Sequence, residues 1–186
     1  MFGHSYYHSA IRKYIIMFGN MFNDIDIQRI NNSGAVVQTI RVPIAYGPKE
    51  KFLARLRDDA NLNKKVSITL PRLSFEITAM SHAPDRGLNK LQRNTKLGSG
   101  SNTNRSQNTP VPYDINISLY AMFDNNEDAV QVVEQILPFF RPEWTNSVKL
   151  VPSVGDYYDI PTVLGDMSIE DGYEADFQTR RAIIYT

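Results

Sequence analysis

The sequence predicts an α+β fold: a mixed, mainly antiparallel sheet flanked by helices. Three observations carry this expectation. LSFEITA (73–79) and DINISLYAMF (114–123) alternate apolar and polar residues at the period of a half-buried strand. Residues 5–22 and 124–137 instead repeat apolar residues at the helical period of 3.6. The chain has 186 residues, of which 42% are apolar and 22% charged, enough for one ordinary globular core. A single domain over 1–186 is therefore expected.

Residues 5–22 read as a helix because Tyr7, Ile11, Tyr14, Ile15, Phe18 and Phe22 fall on one face. A membrane-surface helix would want a strongly basic polar face, and only Arg12 and Lys13 offer one. DIDIQRI (24–30) and AVVQTIRV (35–42) flank NNSG, a polar turn between β-branched runs, and predict a hairpin. In RVPIAYGPKEKFLARL (41–56) a strand-like run meets Gly47-Pro48 and then a charged helical pattern, 48–58. Proline suits the first helical position, where its missing N–H has no helical partner anyway. Phe52, Leu53 and Leu56 form its narrow apolar stripe among Lys49, Glu50, Lys51, Arg55, Arg57 and Asp58.

VSITLPRLSFEITAM (66–80) is a long strand pattern in which Pro71 marks an edge, a bend or a break. It and 114–123 are expected to be antiparallel neighbours. Between them, residues 84–112 show no periodicity and are rich in Gly, Ser, Asn and Thr. This segment reads as a long polar loop, in which Arg86, Lys90, Arg93, Lys96 and Arg105 oppose only Asp85. The helix from Asp124 to Leu137 is expected to be capped by Asp124, with Glu127 completing a capping box. Pro138 ends or kinks it. Phe139, Phe140 and Trp144 follow in a segment read as irregular. Strand candidates close the chain at 148–152, 161–169 and 177–186. The expected core is Phe75, Ile77, Ile117, Leu119, Val133, Ile136 and Leu137, where helix meets sheet.

Charge and composition exclude several chemistries. Twenty basic and 20 acidic residues give a formal net charge of zero, whereas a chain whose overall field grips phosphate is normally basic. With no cysteine there is no disulfide framework, thiolate metal site or thiol nucleophile. No apolar run approaches the roughly 20 residues of a membrane span. MFGHSYYHSAIRKYIIMF lacks the basic start and small-residue cleavage site of a signal peptide.

Motifs that would carry catalysis fail at specific positions. His4 and His8 have metal-ligand spacing, but no Glu follows His4 and no third ligand stands nearby, so a solvated helix start is the simpler reading. His82 stands alone. GSGSN lacks the G-K-[ST] that would hold phosphate and magnesium. In DMSIEDGYEAD, Gly172 comes one place late for a calcium loop counted from Asp166. Asp58 and Asp59 read as solvated charges at a helix end. The basic loop has no interleaved aromatics on which bases could stack. No cofactor, metal or catalytic residue is assigned, and no enzyme is expected.

Five short stretches carry a resemblance. MFG with its aromatic-rich helix, RVPIAYGPKE, LPR, VEQILPFFRP and TRR occur in this order, from Met1 to Arg181. Together they resemble the tail sheath stabiliser, or tail completion, family of contractile-tailed myovirus-type bacteriophages. The resemblance implies a tail-terminator-like fold and a structural place in the virion, assembled in the host cytoplasm. It implies a homo-oligomer, a hexameric ring, at the head-proximal end of the tail. There the ring caps the sheath, sits around or above the tube terminator and meets the neck proteins. Relatives of that family continue past the strand ending at Thr186, so this chain is expected to lack their C-terminal extension. A nucleic-acid-contacting neck or head-completion adaptor is the alternative, and only the basic loop supports it.

Under this resemblance the turn at Gly47-Pro48 is expected to set a charged helix that gives a neighbour its register. The expected subunit or sheath interface is Lys49, Glu50, Arg55, Arg93, Lys96, Arg180 and Arg181. The basic loop is expected to meet the purely acidic segment 150–179 of another copy, or a sheath subunit. Residues 177–186 are expected at a sheet edge or subunit boundary, where they help bind the terminal sheath ring by strand addition.

Overall fold

The protein is described by a computed structural model covering residues 7–57, 69–97, 104–150, 157–172 and 182–186. Helix α1 spans Ala10–Met21, and strands β1 (Asp26–Ile30) and β2 (Val36–Arg41) form the hairpin expected from the turn NNSG. The turn is local chemistry. Asn31 Oδ1 accepts from the Ser33 and Ala35 amides at 3.0 and 3.1 Å, and Gly34 takes a φ of +79° that suits glycine. β3 (Ile44–Tyr46) leads through Gly47-Pro48 into α2 (Lys49–Arg57).

The long strand β4 is Arg72–His82 and begins just after Pro71, which acts as the break. It pairs antiparallel along its length with β7 (Tyr113–Phe123), as expected, and parallel with β3. α3 is Asn126–Ile136, and a 3-10 turn, Leu137–Phe139, carries Pro138. β8 (Glu143–Lys149) and β9 (Tyr157–Val163) form an antiparallel pair. β10 (Ile169–Gly172) and β11 (Ala182–Tyr185) complete a five-stranded sheet of order β10-β11-β7-β4-β3. The architecture is α+β, with one parallel pair, β3 with β4, in an otherwise antiparallel set.

Strand alternation places a core on each face of this sheet. On one face Leu73 and Phe75 of β4 and Ala121 and Phe123 of β7 meet Phe18 and Phe22 at the end of α1, and Ala129 and Val132 of α3. On the other face Tyr120, Met122 and Ile184 meet Phe52 of α2. Phe75 is buried, Ile117, Leu119 and Ile136 are half-buried against the first core, and Ile77 and Val133 are half-buried.

Several expectations are corrected. Helix α1 starts at Ala10, so His8 precedes it, and His4 lies outside the described residues. Tyr7 and Ile11 are exposed, because the buried stripe occupies only the C-terminal half of the helix. The cap of α3 is Asn125, whose Oδ1 accepts from the Asp128 amide at 2.8 Å, one residue later than the Asp124–Glu127 box. Leu137 is 40% exposed, since the helix ends before it and the 3-10 turn rotates it outward. Trp144 sits on β8 and stacks on Phe139 with centroids 4.8 Å apart. The segment 161–169 holds parts of two strands, separated by residues 164–168.

The polar loop is corrected too. β5 (Arg93–Leu97) and β6 (Asn104–Asn108) pair as an antiparallel ribbon forming its own two-stranded sheet. Lacking a core face, these strands show no apolar alternation for a sequence reading to find. The described part of the C-terminal segment, β11, is also not a sheet edge, while residues 177–181 lie outside the described residues. β11 lies between β10 and β7; its Ile184 joins the second core, and its buried Ile183, paired with Phe123, lies on the opposite face. That explains why apolar residues fall on both of its faces.

Candidate assembly surface

The charged helix α2 is placed by its turn. Gly47 has a φ of +155° and its amide donates to Phe75 O at 2.9 Å, fastening the turn to the neighbouring strand. A Cβ there would stand 3.3 Å from the Phe52 ring, the anchor of α2. Phe52 is buried beneath the sheet, with the Arg72 guanidinium 5.2 Å from its ring centroid. The polar face of α2 is thereby aimed outward, with Glu50 and Arg55 exposed.

Lys49 is held within its own chain. Its ammonium pairs with Glu170 of β10 at 2.9 Å and stands 5.8 Å from the Tyr120 ring centroid. The hydrogen bond to Glu170 raises the Lys49 pKa. Tyr120 in turn donates to Glu76 at 3.0 Å, and burial raises its hydroxyl above the ordinary value.

Among the described residues, the β5–β6 ribbon is fastened near its base. Thr109 Oγ1 donates to Gln92 O at 2.6 Å and to Asn89 O at 3.2 Å, and Arg86 pairs with Asp114. Arg93 is exposed, and the register sets Lys96 opposite Arg105. Leu88, Leu91 and Leu97 are exposed around it. Arg180 and Arg181 lie outside the described residues.

An apolar groove of about 1000 Å³ runs between α1, β7 and the segment 159–167. Its charged residues are Arg86, Asp114, Asp159 and Asp166. Arg86 and Asp114 pair with each other, and Asp159 accepts from the Ser147 hydroxyl. Burial, with Tyr158 nearby, raises the Tyr14 hydroxyl on its wall. Among the described residues, no nucleophile–base pair is assembled from these charged groups. Sequence reasoning missed the groove because its wall residues come from six separated stretches between Ala10 and Thr186.

The profile of the T4-like virus Myoviridae tail sheath stabiliser family matches residues 5–186. The chain belongs to that family. It is also similar to the tail completion protein gp15 of Enterobacteria phage T4, with 32% identity over 190 aligned residues. That alignment covers 98% of this chain and 68% of the T4 protein. Tail sheath stabilisers are structural proteins of contractile phage tails, and the virion tail is the place of this chain. The match spans the sheet, both cores, the ribbon and α2, and so takes in the whole candidate surface.

Proposed function

We propose that this tail sheath stabiliser works without catalysis, as a ring of identical copies closing the head-proximal end of the extended sheath. The ring is hexameric, sits at the tube terminator and presents its other face to the neck. The family match along almost the whole chain carries the sheath-stabilising role. The described surface supports the ring: charged and apolar groups stand on protrusions, and the fold is fixed by its own two cores. The whole chain acts as a single tail-terminator-like domain. Glu50 and Arg55 on α2, Arg93 and Lys96 on the ribbon, and Arg180 and Arg181 supply contacts to neighbouring copies or to sheath. Lys49 contributes by holding α2 against β10.

The test uses tails assembled without this protein. Purified protein added to them is expected to bind one end and keep the sheath extended, as seen by electron microscopy. Tails that contract or depolymerise at the same rate with and without it would overturn the proposal.

A further inference from the structure

The ribbon is an element without a visible reason to be stable by itself. A lone two-stranded hairpin is marginal in water, and three strands or a packed face are usually required. Here β5 and β6 pair only with each other in the sheet order. The register puts Lys96 directly opposite Arg105, an arrangement in which like charges weaken a strand pair. Leu91 and Leu97 are each 88% exposed, far more than a folded chain gains from. The base is fastened by Thr109, Asn89 and the Arg86–Asp114 pair, so the ribbon is aimed. Its five-residue strands reach about 17 Å outward.

The same chain carries the matching surface. Residues 157–172 contain Asp159, Asp166, Glu170 and Asp171 and no Lys or Arg, and of these carboxylates Glu170 pairs with Lys49 of α2. Among these carboxylates Val163, Leu164, Met167 and Ile169 are exposed. The strip thus pairs apolar groups with negative charge, where the ribbon pairs apolar groups with positive charge. Ribbon leucines and strip apolar residues are both exposed in a single chain, so the ribbon does not cover its own strip.

We infer that the β5–β6 ribbon of one copy docks on the 157–172 strip of the next copy. The contact is head-to-tail: each copy offers one ribbon and one strip, so no surface is left over when the circle closes. Apolar contact between leucines and the strip supplies the burial. The charge match sets direction, because ribbon on ribbon or strip on strip would oppose like charges. This inference rests on the ring proposed above and names its subunit contact.

The experiment uses two full-length variants, one with Arg93→Glu and Lys96→Glu, the other with Asp159→Lys and Asp166→Lys. Circular dichroism confirms that each is folded. Assembly is followed by native mass spectrometry in solution and by electron microscopy on tails that lack the protein. Each variant alone is expected to assemble at least about tenfold more weakly than the wild type, most visibly at low salt. An equimolar mixture is expected to recover, because the acidic ribbon of one variant meets the basic strip of the other in alternation. If both variants assemble like the wild type, or the mixture fails to recover, the ribbon-to-strip contact is overturned while the ring stands. If the wild type forms no ring in solution or on tails, the ring reading falls and takes this contact with it. In a second measurement, Leu97→Cys and Leu164→Cys chains, each with a single cysteine, are mixed and oxidised. A disulfide heterodimer supports the contact, and its absence in an assembled ring overturns it.

Discussion

Arg29 and Asp128 meet in a two-pronged ion pair, 2.6 Å from Nη1 to Oδ1 and 2.7 Å from Nη2 to Oδ2, across 99 positions of sequence. Asp128 is fully buried, whereas Arg29 is about one-third exposed. The pair belongs to a seam. Gln131 accepts from the Gln28 amide at 3.0 Å and donates to Gln28 O, and Gln135 donates to Asp26 O at 2.8 Å. Asp128, Gln131 and Gln135 thus follow one face of α3 and hold the free edge of β1, fixing the hairpin to the helix.

Breaking this pair from the two sides should have unequal effects. Arg29→Ala leaves a buried carboxylate without its main partner and is expected to cost about 1–3 kcal/mol. Asp128→Asn keeps the shape, removes the buried charge and is expected to cost less. Urea unfolding of the two variants checks the order. A reversed order would show that the pair is not what holds the seam.

The pH dependence has a defined sign. Burial raises the Asp128 carboxyl above its ordinary value of 3.8, outweighing the attraction and hydrogen bond of Arg29. A group whose pKa is higher in the folded state holds its proton more tightly there. Its contribution to stability is therefore full below the unfolded value and is lost as pH rises through the folded value. Relative to Asp128→Asn, the wild type is expected to lose stability between acidic and neutral pH. Urea midpoints of the two proteins along a pH series measure this difference, and a relative gain with rising pH would contradict it.

Gly47→Ala tests the turn that aims α2. The new methyl would enter a φ of +155° and press on Phe52 at 3.3 Å. A loss of about 1–3 kcal/mol is expected. Amide exchange should show the α2 amides and Gly47, bound to Phe75 O, losing protection first. Unchanged stability would mean that the turn tolerates a side chain and does not fix the helix.

Two leucines separate the observed core from the expected one. Leu73 is fully buried in the first core, and Leu73→Ala should cost about 2–5 kcal/mol. Leu137 is 40% exposed, so Leu137→Ala should stay within about 0.5 kcal/mol of the wild type. Thermal or urea unfolding distinguishes them directly.

Sequence alone determined the elements whose burial is regular. β4 and β7 alternate because one face of each is covered, and α3 carries a helical stripe because one face packs on the sheet. The hairpin at NNSG and the turn at Gly47-Pro48 were legible because backbone conformation there depends on the residues in the turn itself. The ordered short motifs also carried the family. Tertiary structure alone decided the rest. Asp128, Gln131 and Gln135 look like a solvated helix face until β1 supplies their partners. Ile183 and Ile184 look contradictory until β11 is seen between two strands, with a core on either side. The ribbon of β5 and β6 was illegible for the opposite reason: it joins neither core among the described residues, so no burial pattern is written into it. Hydrophobic periodicity records only which side of an element is covered. Strand order and the partners of polar groups depend on contacts between residues far apart in sequence, and these exist only once the chain has folded.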